Sequence, residues 1–504
     1  MKSLQYTGAH VSALVASFFR LVDAVPARRL IHVPAAGYSL TVQDIWDARA
    51  AQTEVLRSAG LRAGDLLLLA VGNRPSCVSL FLAARSLDLA VLAVDSRTPP
   101  AEIRDLCARF GPAGCVVSIE HASVLGPLLG TLSDGLVLIG PPAAGTHPRP
   151  PARYDGVALL KLTSGSTGLP KAARTTDAQL AIDSRQIVAA MGIGPDDTQI
   201  AAIPLSHAYG ASVILVPLLL QGTPMVLRES FVPHQLPSDA AAFDARVFAG
   251  VPFMFDYFID NPPAEGWPDS LRTLISAGSR LMPSTTRGFF DRFGLKIHSF
   301  YGTSETGGIS FDDGDAIGVA DTVGRPIPGV TITLRTEDGR PAISGRVHVR
   351  NGGVADGYVG ESGGDFCDEG FLTGDYGTFD GEGRLLLTGR VSSFINVAGK
   401  KVQPAEVEDV LREMPGVRDV RVLGAADQQR GEQVAACIVR DRTAPPLTVL
   451  TVRKFCSARL APYKIPRIVV CLDAIPMTAR GKVDRHALDE AVKAAIAGFP
   501  EQLC

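Results

Sequence analysis

Short apolar runs recurring between longer Ala- and Leu-rich stretches constrain this chain more than any other feature. Leu66 to Val71, Ala90 to Val94, Cys115 to Ile119 and Leu136 to Ile139 are almost unbroken apolar segments, with the length and pattern of strands buried on both faces. The stretches between them carry helical spacing, and the alternation continues to about residue 355. It is the signature of α/β units around parallel sheets. The proline-rich stretch 141–153 is too rigid and donor-poor for a regular element and leads into a predicted strand at Val157 to Leu162. Glycines accumulate between Gly345 and Gly364. From Leu385 onward shorter strands alternate with charged helices, including Ala405 to Met414 and Val449 to Leu460. That change marks a smaller C-terminal domain.

With 504 residues the chain exceeds what one ordinary core organises. Its 46% hydrophobic and 20% charged residues exclude a disordered or membrane-embedded chain. A formal net charge of -3 offers no basic footprint, so no nucleic-acid partner is expected. The runs Leu66 to Val71 and Val213 to Leu220 fall well short of the roughly 20 residues a bilayer requires, and no membrane span is expected. At the N-terminus, Val11, Leu14, Val15, Phe18, Phe19 and Val22 fall at helical spacing, while Arg20 and Asp23 interrupt any signal-peptide pattern. An amphipathic helix packed on the domain is expected there. The eight cysteines, at 77, 107, 115, 367, 437, 456, 471 and 504, form no C-x-x-C pair and no metal-ligand spacing. They read as reduced thiols of a cytoplasmic protein.

Directly after the predicted strand at Val157 to Leu162 comes Thr163-Ser164-Gly165-Ser166-Thr167-Gly168-Leu169-Pro170-Lys171. Hydroxyls, glycines that let backbone amides approach an anion, and a terminal cation together suit a polyphosphate. Composition alone equally fits a surface loop. It is not a Walker A loop, because the glycine-to-lysine spacing is wrong and no Ser or Thr follows Lys171.

The residue order of this loop resembles the signature of the adenylate-forming superfamily, T-S-G-[ST]-T-G-x-P-K-G. That superfamily contains acyl- and aryl-CoA synthetases, peptide-synthetase adenylation domains and luciferases. Ala172 stands where the family commonly has glycine and removes no phosphate ligand. Further segments follow in the family's order. Pro204-Leu205-Ser206-His207-Ala208-Tyr209-Gly210 is similar to P-L-x-H-x-x-G, whose histidine lies between acyl pocket and thiol tunnel. Ser276-Ala277-Gly278-Ser279-Arg280-Leu281 loosely resembles S-G-G-A-P-L, a turn whose backbone meets the adenine edge. Tyr301-Gly302-Thr303-Ser304-Glu305 resembles Y-G-x-T-E, and Phe371-Leu372-Thr373-Gly374-Asp375 the aromatic-x-T-G-D strand. Gly389-Arg390 follows, then Ile395-Asn396-Val397-Ala398-Gly399, Leu460-Ala461-Pro462-Tyr463-Lys464-Ile465-Pro466, and Gly481-Lys482-Val483-Asp484-Arg485.

The resemblance implies a large N-terminal domain, residues 1–389, of packed α/β sheets and a distorted barrel. A small mobile α+β domain, residues 390–504, would carry the catalytic lysine. It implies that Thr163, Ser164, Gly165, Ser166, Thr167, Gly168 and Lys171 grip the β,γ-phosphates, with Gly278, Ser279, Arg280, Tyr301, Gly302 and Thr303 at the adenine side. Ser304 would bond the α-phosphate, Glu305 would hold Mg²⁺ as a hard oxygen ligand, and Asp375 with Arg390 would take the ribose. His207, Tyr209, Gly210, Val251, Gly278, Gly302 and Gly307 would line the acid site. His207 and Gly399 would border the thiol tunnel, Ser392 would be the hinge, and Lys482 would stabilise charge on the α-phosphate. Ser392 and Ser393 replace residues that are commonly charged in relatives, and Asn396 stands where many carry lysine.

The implied reaction is ATP-dependent conversion of a carboxylic acid to acyl-AMP and pyrophosphate, followed by transfer to a thiol, expected to be CoA. A stand-alone adenylation enzyme that loads a carrier protein or forms an amide is the same-class alternative. A nucleotide-binding pseudoenzyme is the other. Phe231-Val232-Pro233-His234 lacks the aspartate with which amino-acid-activating relatives pair an α-ammonium, unless Asp239 or Asp244 serves. Aryl and medium-chain acyl acids are therefore favoured. The oligomeric state is left open by the sequence.

Overall fold

The computed structural model describes residues 12–140, 154–163, 171–319, 322–336, 338–361, 364–390, 395–397, 400–427, 431–441, 444, 446–477 and 483–497. The predicted apolar runs form strands at Leu66–Leu69, Ala90–Ala93, Gly114–Ser118 and Leu136–Ile139. They belong to a seven-stranded sheet ordered Leu128–Thr131, Leu136–Ile139, Gly114–Ser118, Leu66–Leu69, Ala90–Ala93, Leu159–Thr163, Lys171–Thr175. Four consecutive strands, from Gly114–Ser118 to Leu159–Thr163, pair in parallel, whereas Leu136–Ile139 runs antiparallel to Gly114–Ser118. Unbroken burial along Leu66–Leu69 explains the missing polar alternation: both faces are covered.

A nine-stranded sheet holds the other half of the α/β pattern. Its order is Arg325–Pro326, Gly307–Phe311, Ile297–Thr303, Thr273–Ser276, Val247–Gly250, Gln199–Ala201, Met225–Leu227, Arg29–Val33, Tyr38–Thr41. Six consecutive strands, from Ile297–Thr303 to Arg29–Val33, are parallel. The N-terminal amphipathic helix is present as Ala13–Ala24, capped by the Ser12 hydroxyl and burying Leu14, Val15 and Phe18. The apolar run after Gly210 is helical, with a π-helical turn at Ala211–Leu215 leading into Val216–Gln221.

The chain divides into two compact units. One comprises residues 1–333, 348–373 and 379–386, and the other 334–347, 374–378 and 387–504. A further five-stranded sheet is built from Thr331–Arg335, Ser344–Arg350, Phe366–Cys367, Gly370–Phe379 and Leu385–Arg390. In the second unit, Ile395–Val397, Lys400–Val402, Val417–Asp427, Gly431–Arg440 and Ile468–Leu472 form a mixed sheet. The helices Pro404–Arg412, Val449–Ser457 and Arg485–Ala497 accompany it. Val407, Leu411, Val452 and Cys456 bury against that sheet in one core. Among the described residues no helix is long and apolar enough to cross a membrane. Among the described residues six cysteines are free thiols, but Cys471 is disulfide-bonded, which corrects the expectation of uniformly reduced cysteines.

Candidate active site

In open parallel sheets, ligands bind beyond the carboxyl ends of the strands, where connecting loops diverge. In the nine-stranded sheet, that end of Ile297–Thr303 is followed by Ser304 and Glu305, and that of Thr273–Ser276 by Ala277, Gly278, Ser279 and Arg280. Val247–Gly250 is followed there by Val251. Three of the segments singled out in the sequence thus leave neighbouring strands at one end. Gly250 pairs with Ser276, Ser276 with Ser299, and the Ala277 N–H donates to the Gly250 carbonyl at 3.2 Å. A side chain at Gly278 would lie 3.6 Å from Val251 Cγ1, so these two residues adjoin. Gly278, Ser279 and Arg280 form an exposed bend.

The carboxylate turn is tightly held. Thr306 N–H donates to Thr303 Oγ1 at 3.2 Å, which places the Thr303 hydroxyl within the turn. Asn351 Nδ2 donates to the Thr306 carbonyl at 3.2 Å, and Ala355 N–H to the Glu305 carbonyl at 2.8 Å. Glu305 itself is 8% exposed. Its Oε1 accepts a 2.8 Å hydrogen bond from the Tyr358 hydroxyl, the sole hydrogen bond of its side chain among the described residues. Burial, reinforced by the Glu305 charge, pushes the Tyr358 phenol well above the usual tyrosine range, so it remains a donor. Tyr301 is buried and Ser304 half-buried beside it.

Glu305 suits a hard divalent cation. Mg²⁺ is commonly held by one or two carboxylates plus substrate phosphates rather than by a protein cage. No group of three His, Cys, Asp or Glu side chains able to hold a metal occurs among the described residues.

The two ends of the phosphate loop meet across one strand pair, with Thr163 opposite Lys171. Lys171 Nζ lies 2.7 Å from Glu361 Oε2 and 5.0 Å from the Tyr358 ring centroid. Tyr358 therefore touches both the loop lysine and the turn carboxylate. Ser164, Gly165, Ser166, Thr167 and Gly168 lie outside the described residues, as do Ser392, Gly399 and Lys482.

The Pro204–Gly210 segment is fixed from below by Asn73. Its Nδ2 donates to the Ile203 carbonyl at 3.0 Å and its Oδ1 accepts from Leu205 N–H at 2.8 Å. A Cβ on Gly210 would sit 2.2 Å from the Pro204 carbonyl oxygen, so only glycine permits this fold-back. Tyr209 is partly buried and packs on Phe300 at 5.9 Å between centroids. Near His207, Asp95 is buried, which raises its pKa, but hydrogen bonds from Arg97 and the fields of Arg97 and His207 hold the carboxyl below its ordinary value.

Asp239 makes a bidentate contact with Arg228, with Oδ1 2.8 Å from Nη2, and Asp244 lies 3.4 Å from Arg246. Both aspartates that could have met an ammonium already have guanidinium partners. In the second unit, Asp375 is 4% exposed and accepts from Arg390 Nε at 2.5 Å, which brings the two expected ribose ligands together.

The sequence reading missed Tyr358, Asn351, Asn73, Glu361, Asp183 and Lys161. Tyr358 had a signal, an aromatic residue within a glycine-rich stretch. Lys161, a lone cation in an otherwise apolar predicted strand, had another.

Comparison with known proteins gives the family of the chain. The family model for AMP-binding enzymes matches residues 18–359, and that for the AMP-binding enzyme C-terminal domain matches residues 406–482. A sulfoacetate–CoA ligase of Cupriavidus necator is 28% identical over 492 residues, covering 92% of this chain and 94% of the relative. A feruloyl-CoA synthase of Amycolatopsis is 28% identical over 478 residues, covering 91% and 96%. Among solved structures, ATP-bound MatB from Rhodopseudomonas palustris aligns with a TM-score of 0.83 at 26% identity, over 95% of this chain and 99% of that one. The amide bond synthetase McbA from Marinactinospora thermotolerans aligns at 0.80 and 25%, over 95% and 99%.

Proposed function

This chain belongs to the family of AMP-binding enzymes, and from that premise we propose the reaction and the residues that carry it. The chain is an ATP-dependent acid–thiol ligase: it converts a carboxylic acid and ATP to acyl-AMP and pyrophosphate, then transfers the acyl group to CoA. The observation that carries the assignment is the Tyr358–Glu305 hydrogen bond at 2.8 Å. It ties a buried carboxylate at the end of a parallel strand to the tyrosine beneath the phosphate-loop lysine.

In the first half-reaction the acid's carboxylate oxygen attacks the α-phosphorus and pyrophosphate leaves. Thr163 to Gly168 and Lys171 orient the β,γ-phosphates, Ser304 donates to an α-phosphate oxygen, and Tyr301 stacks on adenine. Asp375, an acceptor, holds the ribose diol beside Arg390. Glu305 would hold Mg²⁺, which supplies Lewis-acid neutralisation of phosphate charge when bound. Lys482 stabilises charge growing on the α-phosphate. In the second half-reaction the CoA thiolate attacks the acyl carbon and AMP leaves, with His207 and Gly399 bordering the thiol's approach.

Residues 1–389 act as the AMP-binding domain and residues 390–504 as the mobile domain, with Ser392 as its hinge. The acid is aryl or medium-chain acyl. The Tyr209–Phe300 wall supports an apolar body, and the Arg partners of Asp239 and Asp244 disfavour an α-ammonium. A cytoplasmic location, where ATP and CoA are both available, is part of the same reading. The amide-bond synthetase likeness favours one second reading, an amine as acceptor. Pyrophosphate exchange across sulfoacetate, ferulate, indoleacetate and 2-succinylbenzoate, followed by mass spectrometry with CoA and with amines, tests both. Thioester product supports the ligase, and amide product with no thioester overturns it.

A further inference from the structure

One carboxylate outside the expected motifs touches three functional elements. Asp183 lies on the buried face of the helix Asp177–Met191 and is 1% exposed. Its Oδ1 accepts from Gly308 N–H at 2.8 Å, at the far side of the turn that carries Glu305. Its Oδ2 accepts from Ser212 Oγ at 2.6 Å, within the π-helical turn that follows Tyr209 and Gly210. That same oxygen lies 3.9 Å from Nζ of Lys161, on the strand that runs into Thr163. The packing has no slack, because a Cβ on Gly307 would fall 2.1 Å from Asp183 Oδ1.

The Lys161 side chain is 1% exposed, and Nζ makes no hydrogen bond among the described residues. Such a pair is a poor stability device. Desolvating an ammonium and a carboxylate is expensive, and apolar side chains of similar volume commonly do as well or better. Burial lowers the Lys161 pKa, while the fields of Asp183 and Glu305 oppose that loss of charge. The Lys161 amine thus stands in the field of two carboxylates, one of them the expected metal ligand.

We propose that Asp183 is a positioning residue: it joins the Glu305 turn to the π-helical turn that follows the expected acid-site residues Tyr209 and Gly210 and takes up the Lys161 charge, leaving Glu305 for the metal. This rests on the reading of Glu305 as the metal carboxylate. If Asp183 loses its charge, Lys161 turns to Glu305 for a counter-ion and competes with the cation.

The test is calorimetric binding of α,β-methylene-ATP by the full chain at a series of Mg²⁺ concentrations. Asp183→Asn keeps the shape and should raise the Mg²⁺ needed for half-saturation about tenfold, the size seen when a metal ligand loses an outer partner. Lys161→Met combined with Asp183→Asn should return it to within about threefold of wild type. A lowered melting temperature with unchanged Mg²⁺ dependence in Asp183→Asn would mean a merely structural role and would overturn the proposal, as would a double variant no better than the single. Should Asp183→Asn fail to fold, Ser212→Ala decides. It should raise the KM for the acid preferred in pyrophosphate exchange about fivefold with KM for ATP unchanged, and equal or absent shifts in both overturn the coupling. Absence of any Mg²⁺ effect in wild type would instead refute the role of Glu305.

Discussion

The Tyr358 hydroxyl donates to Glu305 Oε1 at 2.8 Å while the face of the same ring lies 5.0 Å from Lys171 Nζ. One aromatic side chain is thereby shared between the turn carboxylate and the phosphate-loop lysine. Tyr358→Phe keeps the ring and removes the donor, which should raise the Mg²⁺ required for half-maximal pyrophosphate exchange about tenfold.

The ionisation of Tyr358 provides an independent check. Burial and the Glu305 charge raise its pKa in the folded protein, whereas an unfolded tyrosine ionises at about 10. The folded chain therefore retains this proton where the unfolded chain releases it, and the contribution to stability is present below pH ~10 and declines as pH rises above it. Ultraviolet titration of native wild type and Tyr358→Phe should overlay through pH ~10. A tyrosinate signal present at ordinary pKa in wild type and absent in the variant would contradict the assignment.

The ion pair between Lys171 and Glu361 leaves both side chains partly exposed, at 27% and 39%. Pairs of this kind contribute about 0–1 kcal/mol, so ATP should displace Glu361 readily. Glu361→Gln is expected to change KM for ATP by less than about fivefold. Lys171→Ala would remove the proposed charge-assisted phosphate contact and should raise that KM by at least about tenfold. Steady-state kinetics with ATP as the varied substrate separates the two.

Gly307 has φ +70, and a side chain there would fall on Asp183. Gly307→Ala should destabilise the fold by roughly 2–4 kcal/mol through backbone strain and overpacking. A Cβ at Gly374 would meet no atom within 4 Å, and φ there is not positive, so Gly374→Ala should change stability by no more than about 1 kcal/mol. Denaturant unfolding of both variants checks the contrast.

The parallel sheets were legible because strands such as Leu66–Leu69 and Ala90–Ala93 are buried on both faces and so appear as unbroken apolar runs. The antiparallel direction of Leu136–Ile139 was not, since an apolar run carries no record of its partner's direction. The motif residues were read in order, and the structure brings Val251 next to Gly278 and Asp375 next to Arg390. Tyr358, Asn351 and Asp183 escaped because their work is contact across the fold: each bonds a residue more than 40 positions away. Local spacing does not encode such contacts. The reading of Cys471 as a free thiol failed for the same reason, since a disulfide joins residues that sequence spacing need not reveal.

Lys482 is assigned to the first half-reaction. A charge-assisted contact is worth about 1.5–3 kcal/mol even outside catalysis, and each ~1.4 kcal/mol of barrier is tenfold in rate. Lys482→Ala should therefore slow acyl-AMP formation at least about a hundredfold, while CoA attack on preformed acyl-AMP is much less affected. Single-turnover assays follow each half-reaction separately, and equal losses in both would refute this role.

ATP–pyrophosphate exchange by the wild-type chain over the panel of carboxylic acids measures the central claim most directly. Acid-dependent exchange with at least one member is the predicted result. Nucleotide binding without exchange for any acid would contradict it and leave a binding protein in place of an enzyme.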